Sequence, residues 1–146
     1  MFHRHFVLSL ILFGVFGCSE QNRVTLEFRI AEDEAAPGLT EVVFNPPGVR
    51  FYLHDEVLVD ESDIDSAFVT VQNGRPAVEL LLTSKESRKW EELTERNVGK
   101  RCGMILNGKL VSAPRIMTPI RVGRAIVAGD FTESEALRIA HALGQP

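Results

Sequence analysis

The sequence holds two cysteines, one tryptophan and one tyrosine among 146 residues, and no excess of positive charge. Two cysteines cannot supply the framework of several bridges on which small secreted scaffolds rest. A formal net charge of −4 excludes nucleic-acid binding through bulk basicity, and no basic stripe interleaved with aromatics compensates. There is no Ser-His-Asp arrangement, no histidine pair at metal-ligand spacing and no convergent set of carboxylates. The chain therefore reads as a non-enzyme, with no catalytic residue, no metal ligand and no cofactor. No apolar run reaches the ~20 residues that a membrane-spanning helix needs. What is present is an ordinary globular composition, 45% hydrophobic and 25% charged, distributed unevenly. Glu20 to Asp65 carries twelve acids against Arg23, Arg29 and Arg50, whereas Ser66 to Pro146 carries eight acids against twelve lysines and arginines. The mild net charge is thus a cancellation between an acidic first part and a basic second part, which allows a polarised surface.

Met1–His5, with Arg4, precedes Phe6–Phe16, an uncharged apolar stretch of eleven residues. This is the layout of a secretory signal. Its end, Val15-Phe16-Gly17-Cys18, resembles the lipobox of bacterial lipoproteins. The resemblance implies that residues 1–17 are a removable signal peptide, that Cys18 carries a lipid holding the protein at a membrane, and that residues 18–23 are a short tether. Each buried methylene of an acyl chain contributes about 0.8 kcal/mol, so several chains anchor firmly. The alternatives are an uncleaved N-terminal anchor and a signal peptide cut elsewhere. The neutral Ser19 resembles the outer-membrane sorting pattern of double-membrane bacteria. With Cys18 lipidated, Cys102 has no partner within the chain and a structural disulfide is excluded.

After Cys18 the chain is long enough for one core without metals or disulfides, and residues 24–146 read as a single domain. Val24, Leu26, Phe28 and Ile30 alternate with Thr25, Glu27 and Arg29, the period of a half-buried strand. Pro-Gly at residues 37–38 and Pro46-Pro47-Gly48 break the chain around short strands at Val42–Phe44 and Val49–Leu53. Asp60, Asp63 and Asp65 invite a calcium reading, but the loop glycine and terminal glutamate of an EF-hand are missing. A solvated loop with a helical turn is the simpler reading. His54 and Asp55 are adjacent on an extended segment and point to opposite faces, which argues against a shared ion.

Phe68–Val71 and Val78–Leu82 flank Asn73-Gly74, and Cys102–Leu106 and Lys109–Ser112 flank Asn107-Gly108. Both pairs predict tight antiparallel hairpins. Cys102 then sits on a strand as a small buried hydrophobe. Thr83 with Glu86 and Thr132 with Glu135 have the spacing of capping boxes, each opening a helix, with stops at Gly99 and Gly144. Pro114 and Pro119 bracket Arg115–Thr118, an extended segment suited to an edge or a loop, and Ala125–Ala128 is a further strand. The element order implies an α+β fold, with two main helices packed on one face of a mainly antiparallel sheet.

Four ordered blocks then carry a resemblance. They are Gly74-Arg75-Pro76-Ala77-Val78, Glu92-Leu93-Thr94 with Asn97-Val98-Gly99-Lys100-Arg101, Asn107 to Ile116, and Gly129-Asp130-Phe131-Thr132 with Glu135-Ala136. In order and spacing they resemble the head subdomain of the first periplasmic domain of SecD, an accessory subunit of the bacterial Sec translocase. The match is strongest over residues 74–143. It implies a ferredoxin-like layout, a place on the periplasmic side of the envelope and contact with unfolded polypeptide. Motor activity is not implied, since the family's proton-linked acids lie in transmembrane helices.

Within the matched region Arg115, Ile116, Met117, Ile120, Arg121 and Arg124 combine an adaptable apolar set with cationic side chains. Such a segment can dock an extended chain by edge pairing or methionine packing. Equally, Ile116 and Ile120 can be core positions, with the arginines keeping the segment soluble. Two functions follow as expectations. The first is a lipid-anchored envelope protein that binds extended polypeptide or a protein partner, linked to translocation. The second is an interaction module for a folded envelope protein, unrelated to translocation.

Overall fold

Leu26, Phe28 and Ile30 bury their side chains on one face of strand β1 (Leu26–Glu32), while Glu27 and Arg29 stay half-exposed on the other. The computed structural model describes residues 23–144, so the expected signal peptide, Cys18 and all but the last residue of the expected tether lie outside it. Seven strands precede or follow the helices at the turns expected from composition: β2 (Thr40–Phe44), β3 (Val49–Leu53), β5 (Ile64–Gln72), β6 (Arg75–Leu82), β7 (Arg101–Leu106), β8 (Lys109–Ser112) and β9 (Arg124–Ala128). A two-residue strand, β4 (Val59–Asp60), and a 3₁₀ turn at Glu61–Asp63 occupy the acidic loop. There Asp60 caps the turn and Asp63 bonds back to its N–H at 2.9 Å, so these acids serve the backbone.

All the strand pairs are antiparallel. One sheet runs β2-β3-β1-β7-β8, with β4 on β1, and the other runs β5-β6-β9. The α+β class and the antiparallel pairing hold, but the single sheet expected from element order is two, and the strand order does not confirm a ferredoxin-like layout. The reason lies in packing. Val78, Leu80 and Leu82 of β6 enter the same core as Leu26, Phe28 and Ile30 of β1. Strands that meet through their side chains are not hydrogen-bonded neighbours. The larger sheet curls until β2 and β8 come into contact, and β8 also meets β9. Inside the curl Ala31, Phe51, Leu53, Ile105 and Leu110 form a second, smaller core. Gly103 sits at its tightest point: an added Cβ would lie 2.9 Å from Leu53 Cδ2.

Helices α1 (Ser84–Arg96) and α2 (Glu133–Leu143) close the main core. Trp90 packs on Phe28 with ring centroids 5.7 Å apart, and Ala136, Ile139, Ala140 and Leu143 bury the face of α2. The capping box at Thr132 is complete, Thr132 N–H donating to Glu135 at 2.8 Å and Glu135 N–H to Thr132 Oγ1 at 3.2 Å. At Thr83 only half of the box forms. The Thr83 N–H donates instead to the carbonyl of Asp63 at 2.9 Å, which leaves the Glu86 carboxylate to pair with Lys89 at 3.2 Å. Asn73 and Asn107 take positive φ, 51° and 49°, as the predicted hairpin turns require.

Candidate functional site

Residues 113–123 carry the chain from β8 to β9. Pro114 and Pro119 remove two donors and keep the segment out of regular pairing, but five of its backbone groups are held at points along its length. The Pro114 carbonyl accepts from Cys102 N–H at 2.9 Å, Ile116 N–H donates to the Lys100 carbonyl at 2.8 Å, and Gly99 N–H donates to the Ile116 carbonyl at 2.8 Å. Ile120 N–H donates to Thr94 Oγ1 at 2.9 Å. At the end of the loop the Gly123 carbonyl accepts from Leu82 N–H at 2.8 Å. Gly123 has φ +56° and lies so close to α1 that a Cβ there would overlap the Ser87 side chain, 2.6 Å from its Cβ. The loop is extended and rigidly tied.

The six candidate residues divide. Ile116 is buried and Ile120 is half-buried, both packed into the main core. Each arginine meets a carboxylate: Arg115 reaches Asp33 at 3.0 Å, Arg121 reaches Glu91 at 3.5 Å and Arg124 reaches Glu79 at 2.7 Å. Arg115 also donates to the Gly99 carbonyl. Met117 is 73% exposed, and its neighbour in the loop, Val122, is 74% exposed; these are the two most exposed large apolar side chains among the described residues. Val122 was not among the residues singled out from sequence, although its place between Arg121 and Gly123 extends the same apolar and cationic pattern.

Behind the loop lies a network that joins the acidic and basic parts of the chain. Arg101 donates to Asp33 at 2.7 Å and stacks over Phe51 at 5.2 Å, while Glu32 meets His54 at 2.9 Å and Lys100 at 3.2 Å. Hydrogen bonds from Arg101 and then Arg115 hold the Asp33 carboxyl below the usual aspartate range. The His54 hydrogen bond, with help from Lys100, does the same for Glu32. Cys102, buried on β7, has its thiol pushed up to about 12 by desolvation, so it is a core residue and not a nucleophile. No group of three or more His, Cys, Asp or Glu among the described residues is placed to hold a metal ion. An open cleft of about 610 Å³ lies between the β2–β3 turn, β8 and the turn into α2, where Phe44, Pro46, Leu110, Asp130 and Phe131 meet. Nothing in the sequence announced it, because its walls come from four separate stretches.

The four blocks quoted from the sequence thus fall on the β5–β6 turn, the end of α1, the β7–β8 hairpin with the start of the loop, and the turn into α2. The family described as SecDF, P1 head subdomain, matches residues 39–145. This chain belongs to that family. It is 33% identical over 134 residues to the protein translocase subunit SecDF of Thermus thermophilus, covering 81% of this chain and 18% of that protein. The SecD subunit of Aquifex aeolicus is 32% identical over 121 residues, covering 82% of this chain and 23% of that protein. The chain therefore spans about a fifth of the length of these relatives. A SecDF structure described as a membrane component that enhances protein export superposes with a TM-score of 0.66 at 27% identity, covering 84% of this chain and 62% of that one. A second, of SecDF in a super-membrane-facing form, gives 0.67 over 84% of this chain and 19% of that one, at 27% identity. Among the described residues no helix is long and apolar enough to cross a membrane.

Proposed function

We propose that this SecDF P1 head subdomain is a non-enzymatic, lipid-anchored module on the periplasmic side of the cell envelope, which binds extended polypeptide or a protein partner in connection with protein translocation. The observation that carries the reading is the loop between β8 and β9. It presents Met117 and Val122 to solvent from a backbone tied down at Ile116, Ile120 and Gly123. Apolar groups held in place in this way lose little entropy on binding, and a methionine adapts to varied side chains. Among the described residues, Arg121 beside them is tied only through an exposed contact of 3.5 Å to Glu91. A surface pair of this kind contributes about 0–1 kcal/mol at most, so Arg121 can exchange Glu91 for a carboxylate of the bound chain. Arg115 and Arg124, more closely paired, set the shape of the surface. The lipid on Cys18, in the outer membrane by the Ser19 pattern, supplies the attachment.

The test is photo-crosslinking from Met117 and Arg121 of the full chain in its native envelope. Nascent exported polypeptides, or one defined translocation partner, should be captured. Val122→Asp with Met117→Lys should abolish capture from position 121 while leaving the melting temperature unchanged. A single folded envelope protein unrelated to export would favour the interaction-module reading, and no capture from either position would end both.

A further inference from the structure

Three side chains among the described residues carry sulfur: Cys102, Met104 and Met117. Two of them are sealed. Cys102 is 3% exposed and Met104 is 4% exposed, both within the main core, whereas Met117 is 73% exposed and belongs to neither core. Oxidation of a thioether follows its exposure, and oxidation of a cysteine needs the thiolate that burial denies to Cys102. An oxidant arriving from solvent therefore meets one of these three sulfurs in the folded protein.

That sulfur stands where its polarity can change without disturbing the fold. The Ile116 carbonyl accepts from Gly99 N–H at 2.8 Å, and Ile120 N–H donates to Thr94 Oγ1 at 2.9 Å. Neither tie uses an atom of Met117. Val122, the other exposed apolar group of the loop, is pure hydrocarbon and gives an oxidant nothing to attack. Met104 is the opposite case, since it shares the main core with Phe28 and Leu106. A polar, chiral sulfoxide there would disrupt packing, while at Met117 it alters the surface alone.

We propose that Met117 is a reversible oxidation site through which peroxide weakens the docking surface of the β8–β9 loop. The inference rests on the polypeptide-docking reading given above. In the step, the Met117 sulfur attacks one oxygen of hydrogen peroxide, the O–O bond breaks and an S–O bond forms. After a proton shift, water leaves. Sulfur has lost two electrons and the peroxide has gained them. Reversal takes a methionine sulfoxide reductase and two thiols: the sulfoxide oxygen leaves as water, and the thiols become a disulfide. The sulfoxide oxygen must shed its water before an apolar side chain can pack against it, so an adaptable apolar anchor becomes a polar group that resists burial.

The experiment treats the full chain with hydrogen peroxide and reads two signals. In the purified protein in detergent, mass spectrometry of peptides should show Met117 gaining one oxygen while Met104 gains it only in denaturant, and the melting temperature should not change. In the native envelope, photo-crosslinking from position 121 should fall roughly tenfold, the effect of losing one apolar anchor. Addition of the two stereospecific sulfoxide reductases with a thiol donor should restore it. Met117→Leu should capture as the parent chain does and ignore peroxide, and Met117→Gln, a polar stand-in for the sulfoxide, should capture poorly without any oxidant. Undiminished capture by a chain whose Met117 is fully oxidised overturns the proposal and leaves the docking reading standing. An equal loss in Met117→Leu overturns it too, since the oxidant would then act elsewhere, as does oxidation of Met104 in the folded protein as fast as Met117. Absence of capture before any peroxide is added ends the docking reading and this proposal together.

Discussion

The hydroxyl of Thr94 accepts the backbone N–H of Ile120 at 2.9 Å and donates to the carbonyl of Trp90 at 2.9 Å. One buried oxygen thereby joins α1 to the loop that presents Met117 and Val122. Thr94→Val keeps the shape but leaves the Ile120 N–H without a partner. An unsatisfied buried donor costs about 1–3 kcal/mol. Denaturant melts should show a loss of this size, and the Ile120 amide should exchange much faster with solvent. An unchanged exchange rate would mean that the loop is held by its other ties alone.

Gly123→Ala tests the far end of the same loop. The residue combines φ +56° with a position where a Cβ would overlap Ser87 and come within 3.2 Å of its Cα. Backbone strain of about 1–3 kcal/mol adds to overpacking of similar size, so we expect a loss of roughly 2–6 kcal/mol in an equilibrium melt. The double variant with Ser87→Gly should recover the overpacking part and leave the strain.

Acid should loosen the network behind the loop. Asp33 and Glu32 are both held below their ordinary values, by Arg101 and His54 respectively as the leading causes. A carboxylate with a lowered folded-state pKa contributes stability that is present in full above the unfolded value, about pH 4, and is lost as pH falls through the lower folded value. Stability should therefore fall below about pH 4 more gently in Asp33→Asn than in the parent chain. Parallel curves for the two proteins would show that the Asp33 pairs carry no net stability.

Cys102 is 3% exposed, and its thiol is pushed up to about 12. At pH 8 it should not react with an aromatic disulfide reagent in the folded protein, and its labelling should follow the unfolding transition in denaturant. Labelling of the native state at the rate of a free thiol would contradict its burial on β7.

Local chemistry made much of this molecule legible. Asn73-Gly74 and Asn107-Gly108 set two hairpins because left-handed backbone is accessible to those residues, and Thr83 and Thr132 start two helices because a side-chain oxygen satisfies the first free N–H groups. Each effect acts within a few residues, so its signal sits in the sequence where the structure needs it. The loop at Arg115–Arg124 was visible in the same way, as an extended stretch between prolines.

Which of its side chains face the core was not visible. Ile116 and Met117 are adjacent apolar residues, yet one is buried and the other is exposed, and the difference comes from Lys100 and Gly99 clamping Ile116 from sixteen and seventeen residues away. The pairing of β1 with β7, which sets Leu26 opposite Leu106, the division of the strands into two sheets, and the bonds from Asp33 to Arg101 and Arg115 are of the same kind. Propensity and spacing act between neighbours along the chain. Burial and charge pairing act between neighbours in space, and those exist only once both cores have closed.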